Sequence, residues 1–218
     1  MLIIRSNNDK NNIDNGVSIE YTIWVVQRQT MKLRQYQKDV LNDLVKVERQ
    51  GNRRIILQAA TGSGKTVMAA ALVKAFVEKG RKVLFLAHRR ELIIQTSDKL
   101  NDFEVRHGVI MANHKKENSF ATVQVASIDT LRARAITKNK MDLPIADLII
   151  IDEAHRSLSN TYIKLINLYS KSLIVGLTAT PIRSDGVGLG EIITEKGFLP
   201  SICCTLKGVF LINSIISL

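Results

Sequence analysis

Aromatic residues are scarce in this chain. Phe, Trp and Tyr together make up 5% of it. An aromatic platform that stacks successive bases is therefore not evident. Cysteine is as thin: two residues, Cys203 and Cys204, adjacent to each other and so in a poor geometry for pairing. The four histidines, His88, His107, His114 and His155, are scattered without ligand spacing, and no zinc signature exists. The N-terminus lacks a positive region followed by a long apolar stretch, which argues against a signal peptide. The tail, Ser201 to Leu218, is apolar but broken by Lys207, Gly208 and Asn213. It falls short of the roughly twenty apolar residues needed to span a bilayer. No internal repeat is present. These absences point away from a membrane and toward a reducing cytoplasm.

What is present is a chain of 218 residues, 45% hydrophobic, enough for one α/β domain with extra ends. Short, nearly continuous apolar runs recur at Ile55 to Ala59, Val83 to Ala87, Thr122 to Ala126, Leu148 to Asp152 and Leu173 to Thr178. Helical stretches separate most of them. One is Tyr36 to Arg49, with apolar Val40, Leu41, Leu44, Val45 and Val47; another is Val67 to Val77. Runs buried on both faces and alternating with helices predict a mostly parallel sheet with helices on both faces. Residues 1–31 read as an extension in which Val17 to Gln27 suits a strand or hairpin. Residues 32–200 read as the domain, and 201–218 as an apolar tail. Met31 directly precedes the domain and could serve as an alternative start.

Two short strings carry the chemistry. The first, Ala59-Ala60-Thr61-Gly62-Ser63-Gly64-Lys65-Thr66, follows the apolar Ile55-Ile56-Leu57 and precedes a helix. That is the context of a phosphate-binding loop. Gly62 and Gly64 let the backbone reach restricted conformations, so that successive N–H groups, with Thr61 and Ser63, curl round phosphate oxygens at a helix N-terminus. Lys65 is expected to reach the β- and γ-phosphates of ATP, and the Thr66 hydroxyl to ligate Mg2+. Ala59 stands where the general pattern has Gly. The plainer reading is a Gly-Ser linker that happens to precede Lys-Thr.

The second string, Asp152-Glu153-Ala154-His155, ends the apolar run Leu148 to Ile151. Its carboxylates emerge at the carboxyl end of a buried strand, where open α/β sheets bind ligands. Asp152 suits the oxygen shell of a hard cation, and Glu153 suits a base that orients or deprotonates attacking water. The plainer reading is an acidic pair capping the next helix.

The formal net charge is +11. Residues 31–100 hold fifteen Lys or Arg against six Asp or Glu, a local +9, whereas residues 1–30 hold three against three. Basic charge around the phosphate loop fits a triphosphate and a nucleic-acid backbone, with binding sensitive to salt. Arg132, Arg134, Lys138 and Lys140 form a second cluster, which suits a solvated face equally well.

With these motifs in place, the chain resembles the first, RecA-like ATP-binding domain of a superfamily-two DEAH-box helicase. Other stretches match in order. Leu33-Arg34-Gln35-Tyr36-Gln37 resembles the segment whose glutamine reads adenine, which assigns that role to Gln37. Leu86 to Leu92 with Gln95 resembles motif Ia, and Val125 to Leu131 resembles motif Ib. The resemblance implies nucleic-acid backbone contacts there, carried by Arg89, Arg90, Ser127 and Thr130. Gly176-Leu177-Thr178-Ala179-Thr180-Pro181 resembles motif III, and the resemblance implies that His155 links the hydrolytic site to Thr178 and Thr180. Arg183 with Asp185-Gly186 continues the style of the restriction-enzyme and DNA-repair branch, which favours DNA.

Taken singly, each stretch has a plainer reading. Gln37 suits an exposed helix position, Arg89 to Glu91 a solvated first turn, Ser127 an N-cap, and Thr178 and Thr180 ordinary strand ends. The family also implies a second RecA-like domain with further arginines, and no such motifs follow Pro200 here. Because an arginine finger is worth about 10³–10⁵ in rate, the expectation is weak ATP binding, slow hydrolysis and no unwinding by the chain alone. Three functions fit: a helicase half-motor completed by a partner chain, the motor of a restriction-type translocase, or a non-catalytic DNA-binding remnant.

Overall fold

The computed structural model describes residues 33–114, 118, 120–154, 160–179, 202–205 and 208–211. The N-terminal extension, His155, Thr180, Pro181 and the stretch from Arg183 to Gly186 lie outside these. Helix α1 (Gln35–Arg49) leads into β1 (Arg54–Gln58), α2 (Lys65–Glu78), β2 (Val83–Ala87), α3 (Arg90–Asp102), β3 (His107–Ile110) and β4 (Val123–Ser127). Next come a single helical turn α4 (Ile128–Leu131), a π-helical turn over Arg132–Thr137, β5 (Leu148–Ile151), α5 (Asn160–Asn167), β6 (Leu173–Thr178), β7 (Ile202–Thr205) and β8 (Gly208–Leu211).

The strands form one sheet in the order β3-β4-β2-β5-β6-β1-β7-β8. Every neighbouring pair is parallel except the last, β7 with β8. The apolar runs explain this arrangement. All residues of β2 and β6 are buried, as expected of strands covered on both faces. Alternate side chains sort to the two faces. Ile55, Leu57, Val83, Phe85, Leu148 and Ile150 join one core with α1, α2 and α3. Ile56, Leu84, Leu86, Ile149 and Ile151 join a second core with α4 and Leu165 and Ile166 of α5. Helix α2 is apolar nearly all round, with Met68 to Val73, Ala75 and Phe76 buried, as suits a helix enclosed within the fold. Each fully buried Leu or Ile side chain contributes about 1.5–3 kcal/mol.

The five expected strands are present: Val83–Ala87 and Leu173–Thr178 match to the residue, and the other three are shifted by one residue at one or both ends. The sheet also continues past residue 200, because β7 pairs with β1 in parallel, Ile55 beside Ile202 through Gln58 beside Thr205. Among the described residues, no helix is long and apolar enough to cross a membrane.

Candidate nucleotide and nucleic-acid site

Parallel strands align their carboxyl ends, so the loops leaving β1, β6, β5, β2 and β4 share one edge of the sheet. The phosphate loop leaves β1. Thr178 ends β6 beside it, the acidic pair follows β5, His88 to Arg90 follow β2, and Ser127 ends β4. The residues of the two chemical strings, far apart in sequence, thus leave strands two spacings apart, about 10 Å.

The phosphate loop is shaped by its own glycines. Gly62 and Gly64 have φ of +80° and +83°, a region that costs a side-chain-bearing residue about 1–2 kcal/mol. Gly64 is the N-cap of α2, and a Cβ there would stand 2.5 Å from Gln37 Nε2. The loop is fastened at three points. Ala59 N–H donates to Thr178 O (2.9 Å) and Ser63 N–H to Ala60 O (3.1 Å). Ser63 O in turn accepts from Tyr36 Oη (2.7 Å) and Gln37 Nε2 (3.1 Å). The Lys65 ammonium donates to Ala59 O (3.0 Å) and Ala60 O (3.2 Å). Neutral carbonyls hold its position without cancelling its charge.

The carboxylates occupy a different kind of turn. Asp152 is buried, 8% exposed, and its N–H donates to Leu86 O of β2 (2.9 Å). Its Oδ1 accepts the Glu153 N–H (3.0 Å). Glu153 has φ of +51°, a left-handed conformation that a glutamate adopts at a cost. The turn sits directly on β6, where a Cβ on Gly176 would meet Ala154 Cβ at 2.9 Å and Ile56 Cδ1 at 2.8 Å.

The remaining expected residues fall as follows. Gln37 is buried at 4% exposure, not exposed as its plainer reading had it, and its Oε1 accepts the Arg34 N–H (2.9 Å). Both ends of its amide therefore bind protein. Thr61 and Gly62 are exposed, while Ser63 to Thr66 are half-buried. Arg89 and Arg90 are exposed at the N-cap and first residue of α3. Ser127 is the N-cap of α4 but makes no side-chain capping bond. Thr130 is half-buried, and Thr178 is fully buried. These nucleic-acid candidates lie on the β2–β4 side of the carboxylates and the phosphate loop on the other. In the second basic cluster Arg132, Lys138 and Lys140 are exposed and Arg134 is half-buried. A cleft of about 1050 Å³ lined by Lys74, Arg106 and Phe120 lies at the opposite edge, away from both strings.

Sequence reasoning gave Tyr36 no role, although its hydroxyl makes the shorter of the two bonds to Ser63 O. The partner lies 27 residues away, so no local pattern announces it. The residues present suit a nucleoside triphosphate with magnesium. The backbone cradle needs glycine at both positive-φ positions, and Asp152 and Thr66 supply the hard oxygen donors such a cation takes. No cluster of three or more His, Cys, Asp or Glu side chains that could hold a metal ion occurs among the described residues.

Comparison with known proteins agrees with this arrangement. The family model described as "Type III restriction enzyme, res subunit" matches residues 30–183. A Saccharomyces cerevisiae protein named as an ATP-dependent helicase, IRC3, is 33% identical over 189 residues, covering 78% of this chain and 27% of that protein. The type I restriction enzyme EcoAI endonuclease subunit of Escherichia coli is 33% identical over 183 residues, covering 78% of this chain and 22% of the subunit. The chain thus spans about a quarter of the length of these relatives. Among solved structures, the Pyrococcus furiosus Hef helicase domain superposes with a TM-score of 0.60 at 25% identity, covering 80% of this chain and 38% of that one. The family match covers well over half of the chain and includes both chemical strings, so this chain belongs to the type III restriction enzyme res-subunit family and carries the first RecA-like domain of a superfamily-two helicase.

Proposed function

We propose that this chain is an ATP-hydrolysing first motor domain of the DEAH type that acts on DNA. The observation that carries this reading is the shared sheet edge, with β6 holding the phosphate loop to one side and the acidic turn to the other. The loop's N–H groups and Lys65 bind the triphosphate, and Gln37, which anchors Ser63 O, takes the adenine-reading role that the resemblance gives it. Bound magnesium, held by Thr66 and Asp152, would neutralise phosphate charge. Glu153 orients a water and accepts its proton as the water oxygen attacks the γ-phosphorus. The bond to the β–γ bridging oxygen breaks, and ADP and phosphate leave. Arg89, Arg90, Ser127 and Thr130 take the nucleic-acid backbone, and His155 with Thr178 and Thr180 relays the state of the hydrolytic site. Residues 32–200 form the ATP-binding unit, to which β7 and β8 add their strands. A second RecA-like domain, in the same or a partner chain, would complete the ATP site with its arginines. The restriction-enzyme relatives support a second reading, the motor of a restriction-type translocase.

The test is ATP turnover by wild type and Glu153→Gln, with and without duplex DNA. Wild type should turn over faster with DNA. Glu153→Gln should bind nucleotide within about threefold of wild type and lose at least about 10² in rate, the usual scale of general-base catalysis. Equal turnover in the two proteins would remove Glu153 from the mechanism.

A further inference from the structure

The cleft of about 1050 Å³ remote from both chemical strings has no part in the motor reading. It lies between the carboxyl ends of α2 and α3 and the starts of β3 and β4, with Val77 and Phe120 among its apolar linings. On that side β3 is the outermost strand, so among the described residues no further strand covers it.

Two features of its walls have no use inside the fold. Phe120 is 96% exposed, the most exposed of the large apolar side chains described. The turn that carries it is pinned. The Phe120 N–H donates to Asn118 Oδ1 (3.1 Å), and Nε2 of buried Gln124 donates to Asn118 O (2.7 Å) and Ala121 O (3.2 Å). An aromatic ring is thus held out in water by bonds on both sides of it. Glu104 has φ of +57° and follows Phe103, the C-cap of α3. Helices commonly place glycine there, because a side chain carries a conformational cost in that region. A side chain kept in such a conformation points to a use beyond the fold.

The charges of the cleft agree. Lys74, Glu78, Glu104 and Arg106 line it, two of each sign. Elsewhere opposite charges pair within the chain, as Arg81 does with Asp147 at 3.1 Å and Lys99 with Asp102 at 2.7 Å. Among the described residues, none of the four side chains in the cleft makes an ion pair or a hydrogen bond. Two carboxylates disfavour a phosphate backbone as the occupant, and the even balance of signs favours neither an acidic nor a basic one. A protruding ring, a hollow and unpaired charges of both signs on one patch make it complementary to itself. Self-complementarity is what a two-fold interface requires, because each patch meets its own copy.

We propose that this cleft docks a second copy of the chain about a two-fold axis. Phe120 of each copy enters the cleft of the other, and the carboxylates of each face the cations of the other. A buried aromatic anchor supplies much of the affinity of such an interface. The nucleotide candidates lie at the opposite edge and stay open in the dimer.

The test is sedimentation equilibrium of the purified chain over a range of concentrations. The proteins are wild type, Phe120→Ser, Arg106→Glu and Glu104→Arg, each shown to be folded by its melting transition. All three positions are exposed, so the fold should survive each change. Wild type should pass from monomer to dimer as concentration rises. Phe120→Ser should raise the dissociation constant about 10²-fold, because a two-fold interface loses the same anchor twice. Arg106→Glu and Glu104→Arg each leave an excess of one sign, and each alone should associate about tenfold more weakly. Mixed together, these two variants should form a heterodimer at least as tight as the wild-type dimer. A wild type that stays monomeric throughout overturns the proposal and leaves the cleft to a different partner. A dimer that Phe120→Ser does not weaken, or charge variants that fail to recover on mixing, also overturns it.

Discussion

The two edges of the sheet handle charge in opposite ways. At the amino edge, charges answer charges. Arg81 pairs with Asp147 at 3.1 Å, the other oxygen of Asp147 accepts the Lys82 N–H at 2.8 Å, and Arg53 stands 3.6 Å from Glu48. At the carboxyl edge, side chains lean on main chain. Tyr36 and Gln37 hold Ser63 O, Lys65 holds the carbonyls of Ala59 and Ala60, and Asp152 takes the next N–H. Pairing opposite charges cancels their fields. Anchoring a cation to neutral carbonyls fixes it in place and keeps its field for a ligand. The first edge closes the fold, and on the proposed function the second receives the phosphates at its Lys65 loop.

Within the carboxyl edge a second contrast appears. Both the phosphate loop and the acidic turn need left-handed backbone, at Gly62, Gly64 and Glu153. On the proposed mechanism the backbone N–H groups of the loop do the binding, so glycine suffices there, and the side chain of the turn is the reactive group, so glutamate stays and carries the strain, of order 1–3 kcal/mol.

Breaking the loop should have the largest effect. Gly64→Ala places a Cβ against Gln37 Nε2 in a conformation alanine resists. Analogue titration should show affinity lowered by about 10²-fold, the equivalent of about 3 kcal/mol of strain. An affinity within threefold of wild type would mean that the tether to Ser63 is not what shapes the loop. The acidic turn should respond in the reverse sense. Glu153→Gly removes the left-handed cost and should raise stability in urea by about 1 kcal/mol, while turnover is lost. A loss of stability would show that Glu153 holds the turn together.

The smallest effect belongs to the amino edge. Burial pushes the Glu48 carboxyl above its ordinary 4.5, with Arg53 opposing. A raised carboxyl favours the protonated form in the fold. Its contribution is therefore fully present below pH 4.5 and is lost as pH rises through the folded value. Glu48→Gln should melt higher than wild type at pH 7, and the difference should close below pH 4.5. A lower melting temperature at pH 7 would mean that the Arg53 contact outweighs burial.

Much of this was legible in the chain because buried parallel strands leave an unbroken apolar signature, as Val83 to Ala87 and Leu173 to Thr178 do. The phosphate loop was legible because its glycines are required by backbone geometry. Strand β3 was not anticipated. His107 and Gly108 interrupt its apolar run, and Gly108 is there because the Asn118 carbonyl crosses where a Cβ would sit. His107 is buried only because Ser97 Oγ, at 2.7 Å, and the Val105 carbonyl, at 2.8 Å, satisfy its ring. The pairing of β7 with β1 was equally hidden, because the tail's four-residue strands carry too little pattern. The Tyr36 and Gln37 tether depends on contacts between α1 and a distant loop, which no spacing encodes.

The central claim is that the carboxyl edge is an anion-binding edge organised around Lys65. The most direct measurement is magnesium-dependent binding of a fluorescent ATP analogue by wild type and Lys65→Ala, each shown to be folded by its melting transition. Saturable binding by wild type, lost in a folded Lys65→Ala, is the predicted result. Equal affinity in the two proteins would contradict the account, because the cation held over the phosphate loop would then have no phosphate to meet.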